Sequence, residues 1–216
     1  DKKINFNNLG NKKFEKLIFQ IQNEINRKYP PKKFFKNNKK IFSTIFSCKE
    51  FALQHYFYLR AVKISSDENI KPISFHRETF QGPKYFKNIY NLWIPLLNCT
   101  NKNSIFYYPK SHKLKKNSDF KIKPYFTKIK KGSYSHKTGN LYKARKIIFK
   151  KKKSPYRLFK KNHLIIFSGE LIHGNGINNS NKIRFSLDVR FMKRENMLFN
   201  PIQSANKKTY FTTIKY

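Results

Sequence analysis

The chain has 216 residues, of which 38% are hydrophobic and 17% aromatic, and this is enough apolar material for one domain with a buried core. Its 48 Lys and Arg residues against 11 Asp and Glu give a formal net charge of +37. No apolar run reaches the roughly 18 residues of a membrane-spanning helix, and the two cysteines, Cys48 and Cys99, exclude a four-cysteine zinc site. We therefore expect residues 1–216 to form a single cytoplasmic domain with free thiols and no membrane contact.

The positive charge has two interpretations. A basic surface attracts phosphate backbones, so a nucleic-acid-binding protein without catalytic activity is one alternative. Only eight of the 48 basic residues are Arg, however, and the chain is also rich in Asn, Ile, Phe and Tyr, a skew that AT-rich codons produce without selection for charge. Because phosphate clamps favour Arg, we rank genome composition above a nucleic-acid partner. A basic rim that attracts an anionic small molecule is compatible with either interpretation.

The first 65 residues are predicted to form helices that flank the core. The apolar side chains that recur there at steps of three and four are Phe14, Leu17, Ile18, Ile21 and Ile25. This spacing predicts an amphipathic helix, which Pro30 and Pro31 should end because proline cannot continue a helix. Residues 41–62, rich in Phe, Leu and Tyr, are a second helical candidate.

Residues 70–192 carry short segments typical of a β-rich core. The predicted strands are Ile73–Phe75, Tyr90–Leu97, Ser104–Tyr108, Leu164–Ser168 and Ile183–Phe191. On the last of them, four polar side chains alternate with four apolar ones between Arg184 and Phe191, so that one face is oily and the other polar. This is typical of an open β-barrel or sandwich that holds a ligand.

A Lys-rich insertion at about 113–161 interrupts this core. Its hydrophobic periodicity is poor, so we expect a long connection between strands that is ordered in part at most. The run of four lysines from Lys150 to Lys153 is expected to be a solvated loop.

Two distant segments carry candidate metal ligands. In the first, an extended backbone would point the His76 imidazole and the Glu78 carboxylate to the same side. In the second, an apolar strand runs into a turn that ends at His173, which is followed by Gly174. Each motif alone is common by chance. Together they form a 2-His-1-carboxylate set, which holds iron(II) on one face and leaves the opposite positions open.

Arg184 and Ser186 come eleven and thirteen residues after His173 and share one face of the predicted strand. A guanidinium and a hydroxyl in this arrangement can bind a carboxylate through a charged fork and a hydrogen bond. A surface salt bridge is the alternative for Arg184, and the scarcity of acidic residues weakens it. Arg190 lies on the same face, where we expect it to pair with Asp188 or a chain terminus rather than touch an anionic substrate.

In their order along the chain, these segments resemble the phytanoyl-CoA dioxygenase-like family of Fe(II)/2-oxoglutarate-dependent oxygenases. The form His-Arg-Glu-Thr at residues 76–79 is similar to members from bacterial carbohydrate and aminoglycoside gene clusters. The resemblance covers residues 70–192, with Glu78 where many members have Asp and Lys110 in place of a glycine. The segments that carry it are residues 75–78, 91–96, 108–113, 167–174 and 184–186.

The resemblance implies a mainly β fold with flanking helices, built on a double-stranded β-helix core of the jelly-roll, cupin-like kind. It implies the iron ligands His76, Glu78 and His173. Arg184, with Ser186, would bind the distal carboxylate of 2-oxoglutarate.

The same resemblance implies roles for three further residues. Asn91 and Trp93 lie on the strand where the family makes cosubstrate and pocket contacts, so we add them to the cofactor-binding set. His112 lies in a turn that is structural in the family, and a fourth protein ligand would fill a position that must stay open, so we do not expect it to bind iron.

The implied activity is that of an oxygenase that uses Fe(II), 2-oxoglutarate and O2, and releases succinate and CO2. Hydroxylation of a small biosynthetic intermediate is the expected reaction, while desaturation, cyclisation and epimerisation stay open. The charge and the resemblance favour an anionic substrate, such as a sugar- or nucleotide-linked molecule. The sequence does not indicate an oligomeric state.

Overall fold

The computed structural model describes residues 9–64, 75–80, 87–125, 144–157, 159–160, 162–175, 178–197 and 211–215. In these ranges the chain is mainly β, with α-helices at its N-terminal side, as predicted. A search of the same ranges for membrane spans finds no helix with the length and apolar character to cross a bilayer.

Three helices open the described chain: α1 (Asn11–Lys28), α2 (Pro31–Asn37) and α3 (Lys39–Phe46). The predicted amphipathic helix is confirmed as α1, and it ends at Tyr29, whose N–H donates to the Ile25 carbonyl oxygen at 2.7 Å. Pro31 then occupies the first turn of α2, where its missing N–H costs nothing.

Eleven strands follow in the described ranges. They are β1 (Glu50–Gln54), β2 (Tyr58–Val62), β3 (Tyr90–Leu97), β4 (Ile105–Tyr107), β5 (Phe120–Tyr125), β6 (Ala144–Phe149), β7 (Tyr156–Arg157), β8 (Ile165–Ser168), β9 (His173–Asn175), β10 (Arg184–Lys193) and β11 (Phe211–Lys215). Four of the predicted strands are therefore confirmed, as β3, β4, β8 and β10. The fifth falls on residues 73–75, of which only Phe75 is described, and Phe75 is not in a strand.

The strands form antiparallel sheets. The large sheet has the order β11-β1-β10-β3-β8, with β2 also paired to β10, and the small sheet has the order β7-β4-β9. The two sheets meet where the Phe167 ring of β8 contacts the His173 ring of β9, at 4.6 Å between centroids. A mainly β core is confirmed, and the finer assignment to a double-stranded β-helix stays a prediction.

The second helical candidate, residues 41–62, is wrong beyond Phe46. Ser47 adopts a left-handed conformation with φ of 46°, which ends α3, and the next residues enter β1 and β2. Phe, Leu and Tyr pack as well on a pleated sheet as on a helix, so composition could not distinguish them. The large sheet therefore draws strands from both sides of the predicted 70–192 core, since β11 belongs to it too.

One face of the large sheet is covered by α2 and α3. Phe191 on β10 is fully buried, and its ring lies 5.1 to 5.6 Å from those of Phe35, Phe42 and Phe46 between ring centroids. Burying one such side chain contributes roughly 1.5–3 kcal/mol. Because strand side chains alternate, this helix-covered face fixes which side chains of β10 point the other way, toward the small sheet.

The Lys-rich insertion contains two paired strands in its described part. Its two ends pair as the antiparallel strands β5 and β6, and Phe120 is fully buried. Along β5 the half-buried Ile122 alternates with the exposed Lys121 and Lys123, so a strand pattern exists but lysine obscures it. Residues 126–143 lie outside the described part of the chain, and the four lysines from 150 to 153 are exposed, as predicted.

Candidate metal centre

The three predicted ligands come together in the structure. His76, Glu78 and His173 each offer one donor atom, and these atoms all lie within 4.8 Å of one another. Two donors bound to one ion at about 2.1 Å each lie roughly 3–4 Å apart, so the cluster is compact enough to hold a single metal. The structure brings the three side chains together as the sequence predicted, and metal binding by them stays a prediction.

Backbone hydrogen bonds create this convergence. His76 and His173 form an isolated antiparallel bridge, in which each N–H donates to the other residue's carbonyl oxygen, at 2.9 and 3.0 Å. The Glu78 N–H donates to the Gly169 carbonyl oxygen at 2.8 Å. The ligand segment is thus attached directly to the turn and strand that carry His173.

The local conformation at Glu78 differs from the one predicted. His76 lies in the β-bridge, but Glu78 begins a short 3-10 helix that ends at Phe80. The expected extended segment is therefore wrong at its second ligand. Both side chains still reach the site, because the backbone of Glu78 is held by Gly169 rather than by continued strand pairing.

The His173 ring is oriented for ligation through one nitrogen. Its Nδ1 lies 2.8 Å from the Leu171 carbonyl oxygen, which can only accept a hydrogen bond, so Nδ1 carries the proton. The lone pair of the neutral ring is then on Nε2, which lies 3.6 Å from Glu78 Oε1. A backbone partner of this kind fixes the tautomer and the ring plane of a metal-binding histidine.

Glu78 is buried, with 5% of the residue's surface exposed. Burial alone would raise its pKa, but Arg190 and then the imidazoles of His173 and His76 outweigh burial and hold the pKa below its ordinary value. The group is therefore ionised at neutral pH, as a metal ligand must be.

Arg190 has a different partner from the one predicted. Its Nη2 lies 2.7 Å from Glu78 Oε2, so the pairing with Asp188 or a terminus is wrong. Asp188 is instead taken by Arg60 of β2, with contacts of 2.8 and 3.0 Å. The strand pattern placed Arg190 on the correct face, but it could not show which acidic residue another part of the chain would deliver there.

Arg77 and Glu170, which the sequence analysis left without a role, form a clamp behind the ligands. Arg77 donates to Glu170 Oε2 at 3.2 Å and to the Leu114 carbonyl oxygen at 2.7 Å, and Thr79 Oγ1 donates to Glu170 Oε1 at 2.5 Å. The residues on either side of Glu78 therefore bind one carboxylate, three positions before His173. The signal in the sequence was the rarity of acidic residues, which makes each one a candidate partner for a buried Arg.

The turn that contains His112 is structural, as expected. Ser111 Oγ accepts a hydrogen bond from the Ile172 N–H at 2.8 Å, and the Ser111 carbonyl oxygen accepts one from Arg77. The His112 side chain is exposed and does not belong to the ligand cluster. The turn positions the strand that delivers His173.

Arg184 lies on β10 with no exposed surface at all. Its Nη2 donates to Asn175 Oδ1 over a long 3.4 Å, and its guanidinium carbon is 5.8 Å from the centre of the Trp93 ring. Burial lowers the pKa of Arg184 to about 10, so it remains a cation at neutral pH. Within the described part of the chain, its Nε and Nη1 atoms have no hydrogen-bond partner.

The other predicted cofactor-binding residues lie on β10 and on its neighbour β3. Asn91 and Trp93 on β3 face β10 in register with Arg190 and Asp188, and Ser186 lies between Arg184 and Asp188. Asn91 Nδ2, Trp93 Nε1 and Ser186 Oγ are buried and, among the described residues, have no hydrogen-bond partner. A buried polar group without a partner costs about 1–3 kcal/mol. These groups and the donors of Arg184 lie on the paired strands β3 and β10, where a polar ligand would satisfy them.

No protein-family model matches the chain, and no curated protein matches it. Similar solved structures include the non-heme alpha ketoglutarate dependent epimerase SnoN from nogalamycin biosynthesis, at 13% identity, TM-score 0.43, 71% coverage of this chain and 51% of that one. The non-heme monooxygenase ThoJ matches at 11% identity and TM-score 0.41, over 71% of this chain and 50% of ThoJ.

A third similar structure, AviO1 from Streptomyces viridochromogenes Tue57, matches at 14% identity and TM-score 0.37, over 66% of this chain and 52% of AviO1. The chain spans about half the length of each of these three solved structures. Matches with identities and TM-scores this low establish neither the fold nor the activity of this chain. The chemistry of the site follows from its own residues.

Replacing Glu170 should destabilise the protein, because it leaves the buried Arg77 without its carboxylate. We expect Glu170→Ala to lower the free energy of unfolding by about 2–3 kcal/mol, measured by urea denaturation. The matched control is Glu24→Ala, which breaks the exposed ion pair of Glu24 with Arg27 and should cause no measurable change. Equal unfolding curves for Glu170→Ala and the unmodified chain would contradict the clamp.

Proposed function

We propose that the chain is an Fe(II)/2-oxoglutarate-dependent oxygenase in which His76, Glu78 and His173 bind the iron. One observation carries the proposal: two imidazoles and an ionised carboxylate converge, and a fully buried arginine with unsatisfied donors contacts Asn175, two residues after the ligand His173. The two imidazoles and the carboxylate suit a divalent metal. The arginine suits an anionic ligand that would also bind the metal.

The donor set fits iron(II). Two neutral imidazoles and one carboxylate are the facial ligand set of non-haem Fe(II) oxygenases. His173 is held with its Nε2 lone pair toward Glu78, and the buried Glu78 is charged. A structural zinc site would use four protein ligands, whereas the described residues supply three in this cluster.

The pocket at Arg184 fits the distal carboxylate of 2-oxoglutarate. Arg184 offers Nε and Nη1, which have no partner in the described residues, and Nη2, which has only the long 3.4 Å contact with Asn175. Ser186 offers a hydroxyl on the same strand face. A bidentate guanidinium–carboxylate contact is strong in a buried setting because both charges leave water together. Trp93 and Asn91 would border the cosubstrate with their own unsatisfied N–H groups.

The chemistry supplied by the bound iron and 2-oxoglutarate is the O2-dependent oxidation of a substrate, with release of succinate and CO2. The chain's own part is to bind and orient. Arg184 and Ser186 would orient the cosubstrate, and Glu78 and the two histidines would hold the metal. The Phe167 ring lies against His173 and the Trp93 ring lies near Arg184, so both rings border the groups that would bind metal and cosubstrate.

We propose hydroxylation of a small molecule as the reaction, with an anionic sugar- or nucleotide-linked intermediate as the substrate class. The support for an anion is the net charge of +37 and the exposed lysines of β5, the strand whose Phe120 ring lies 4.9 Å from the Arg77 guanidinium. A nucleic-acid partner is supported by composition alone, and it gives no role to the buried triad.

The metal ligands can be tested without a substrate. Anaerobic titration of the unmodified chain with Fe(II) and 2-oxoglutarate should produce a visible charge-transfer band at one equivalent of each. His76→Ala, Glu78→Ala and His173→Ala should each weaken Fe(II) binding by about 100-fold or more, since each removes a direct ligand.

His112→Ala is the matched control, because it removes an exposed imidazole that lies outside the ligand cluster. It should bind Fe(II) as the unmodified chain does. If the unmodified chain gives no band, or if the three ligand variants bind Fe(II) as tightly as His112→Ala, the proposed function is wrong.

Replacing Arg184 should separate the cosubstrate from the metal. We expect Arg184→Met to bind Fe(II) normally but to need roughly 100-fold more 2-oxoglutarate for the charge-transfer band, because the distal carboxylate loses its charged partner. Arg27→Met, which removes one exposed positive charge, should leave the 2-oxoglutarate titration unchanged. An unchanged titration of Arg184→Met would show that the cosubstrate does not bind at this pocket.

A further inference from the structure

The two oxygens of Glu78 have different surroundings. Oε2 lies 2.7 Å from Arg190 Nη2, a distance typical of a charge-assisted hydrogen bond. Oε1 lies 3.6 Å from His173 Nε2, on the side of the imidazoles. One oxygen of this carboxylate is therefore engaged by the protein and the other faces the ligand cluster.

Arg190 is itself held in place. Its backbone N–H donates to Gln54 Oε1 at 2.7 Å. In the large sheet, Arg190 is paired with Asn91 of β3. Its side chain keeps only 19% of its surface exposed. A guanidinium fixed to the central strand β10 can hold the carboxylate in one orientation.

We propose that Arg190 is a positioning residue that makes Glu78 a one-oxygen ligand, through Oε1 alone. The inference rests on the proposed function and adds a residue to it. A carboxylate can bind a metal through one oxygen or through both. Binding through both would take one of the positions that the facial arrangement must keep open for cosubstrate and oxygen.

A glutamate at position 78 requires a residue that holds its carboxylate in one orientation. Glu has one more side-chain torsion than Asp and can swing both oxygens toward an ion more easily. Glu78 starts a 3-10 helix, and its backbone is fixed by Gly169, so the remaining freedom lies in the side chain. The contact with Arg190 removes that freedom at the far oxygen.

Arg190 has a second, opposing effect on metal binding. Its positive charge repels a divalent ion, so removing it could in principle tighten the site. Partners that orient a metal ligand typically change metal affinity by about 10- to 100-fold when they are removed. We expect orientation to prevail, because the Arg190 charge is already neutralised by Glu78 at 2.7 Å.

The test uses Mn(II), whose effect on water-proton relaxation counts the exchangeable waters on the ion. We expect about three such waters on Mn(II) in the unmodified chain, from an octahedral ion with three protein ligands. In Arg190→Gln the count should fall to about two, as Glu78 binds through both oxygens, and the Kd should rise about 10- to 100-fold. Neither readout depends on turnover.

Two further variants sharpen this comparison. Arg190→Lys keeps one charged donor and should restore most of the water count and affinity. Arg60→Gln breaks the neighbouring Arg60–Asp188 pair on the same sheet and should leave both Mn(II) readouts unchanged. If Arg190→Gln does not fold, Arg190→Met, which retains the apolar stem of the side chain, takes its place with the same expected result.

Each outcome decides the inference. An unchanged water count with equal or tighter Mn(II) binding in Arg190→Gln overturns the role of Arg190 while leaving the proposed function standing. Failure of the unmodified chain to bind Mn(II) at all overturns both. A lower water count in Arg190→Gln that Arg190→Lys reverses supports the inference.

Discussion

The site depends on the antiparallel backbone bridge between His76 and His173. The two reciprocal hydrogen bonds of this bridge join residues that are far apart in the chain. A third backbone hydrogen bond, from the Glu78 N–H to the Gly169 carbonyl oxygen, joins the same two segments. Backbone groups position ligands more firmly than long side chains do, because they carry less conformational freedom. With the bridge in place, the two imidazoles and the carboxylate are close neighbours.

The arginines near the site differ in whether the fold supplies a carboxylate partner. Of the buried or half-buried arginines described, Arg60, Arg77 and Arg190 each have a carboxylate partner: Asp188, Glu170 and Glu78. Arg184 is more deeply buried than any of these, yet in the described residues its Nε and Nη1 are unsatisfied. A carboxylate neutralises the charge of each of the first three within the fold, whereas no described carboxylate forms an ion pair with Arg184. This contrast is the physical basis for placing 2-oxoglutarate there.

Much of this could be predicted from the sequence, because alternation along a strand is a local property. The polar and apolar faces of β10 and the strands β3 and β8 follow from such patterns. The meeting of His76, Glu78 and His173 was expected from the residue types of a facial triad and from the family resemblance, although the extended backbone assumed for Glu78 is wrong. The strands β1 and β2 were mistaken for helix, since aromatic-rich segments suit both structures. The partners of Arg77 and Arg190 could not be predicted, because each ion pair joins residues that only the tertiary fold brings together.

The central claim is that His76, Glu78 and His173 bind one metal ion. Anomalous X-ray diffraction at the iron edge, from crystals grown anaerobically with Fe(II) and 2-oxoglutarate, tests it most directly. The account predicts one strong peak about 2.0–2.3 Å from a nitrogen of each histidine and from an oxygen of Glu78. A well-ordered crystal with iron at another position, or with no iron near these three side chains, would contradict it.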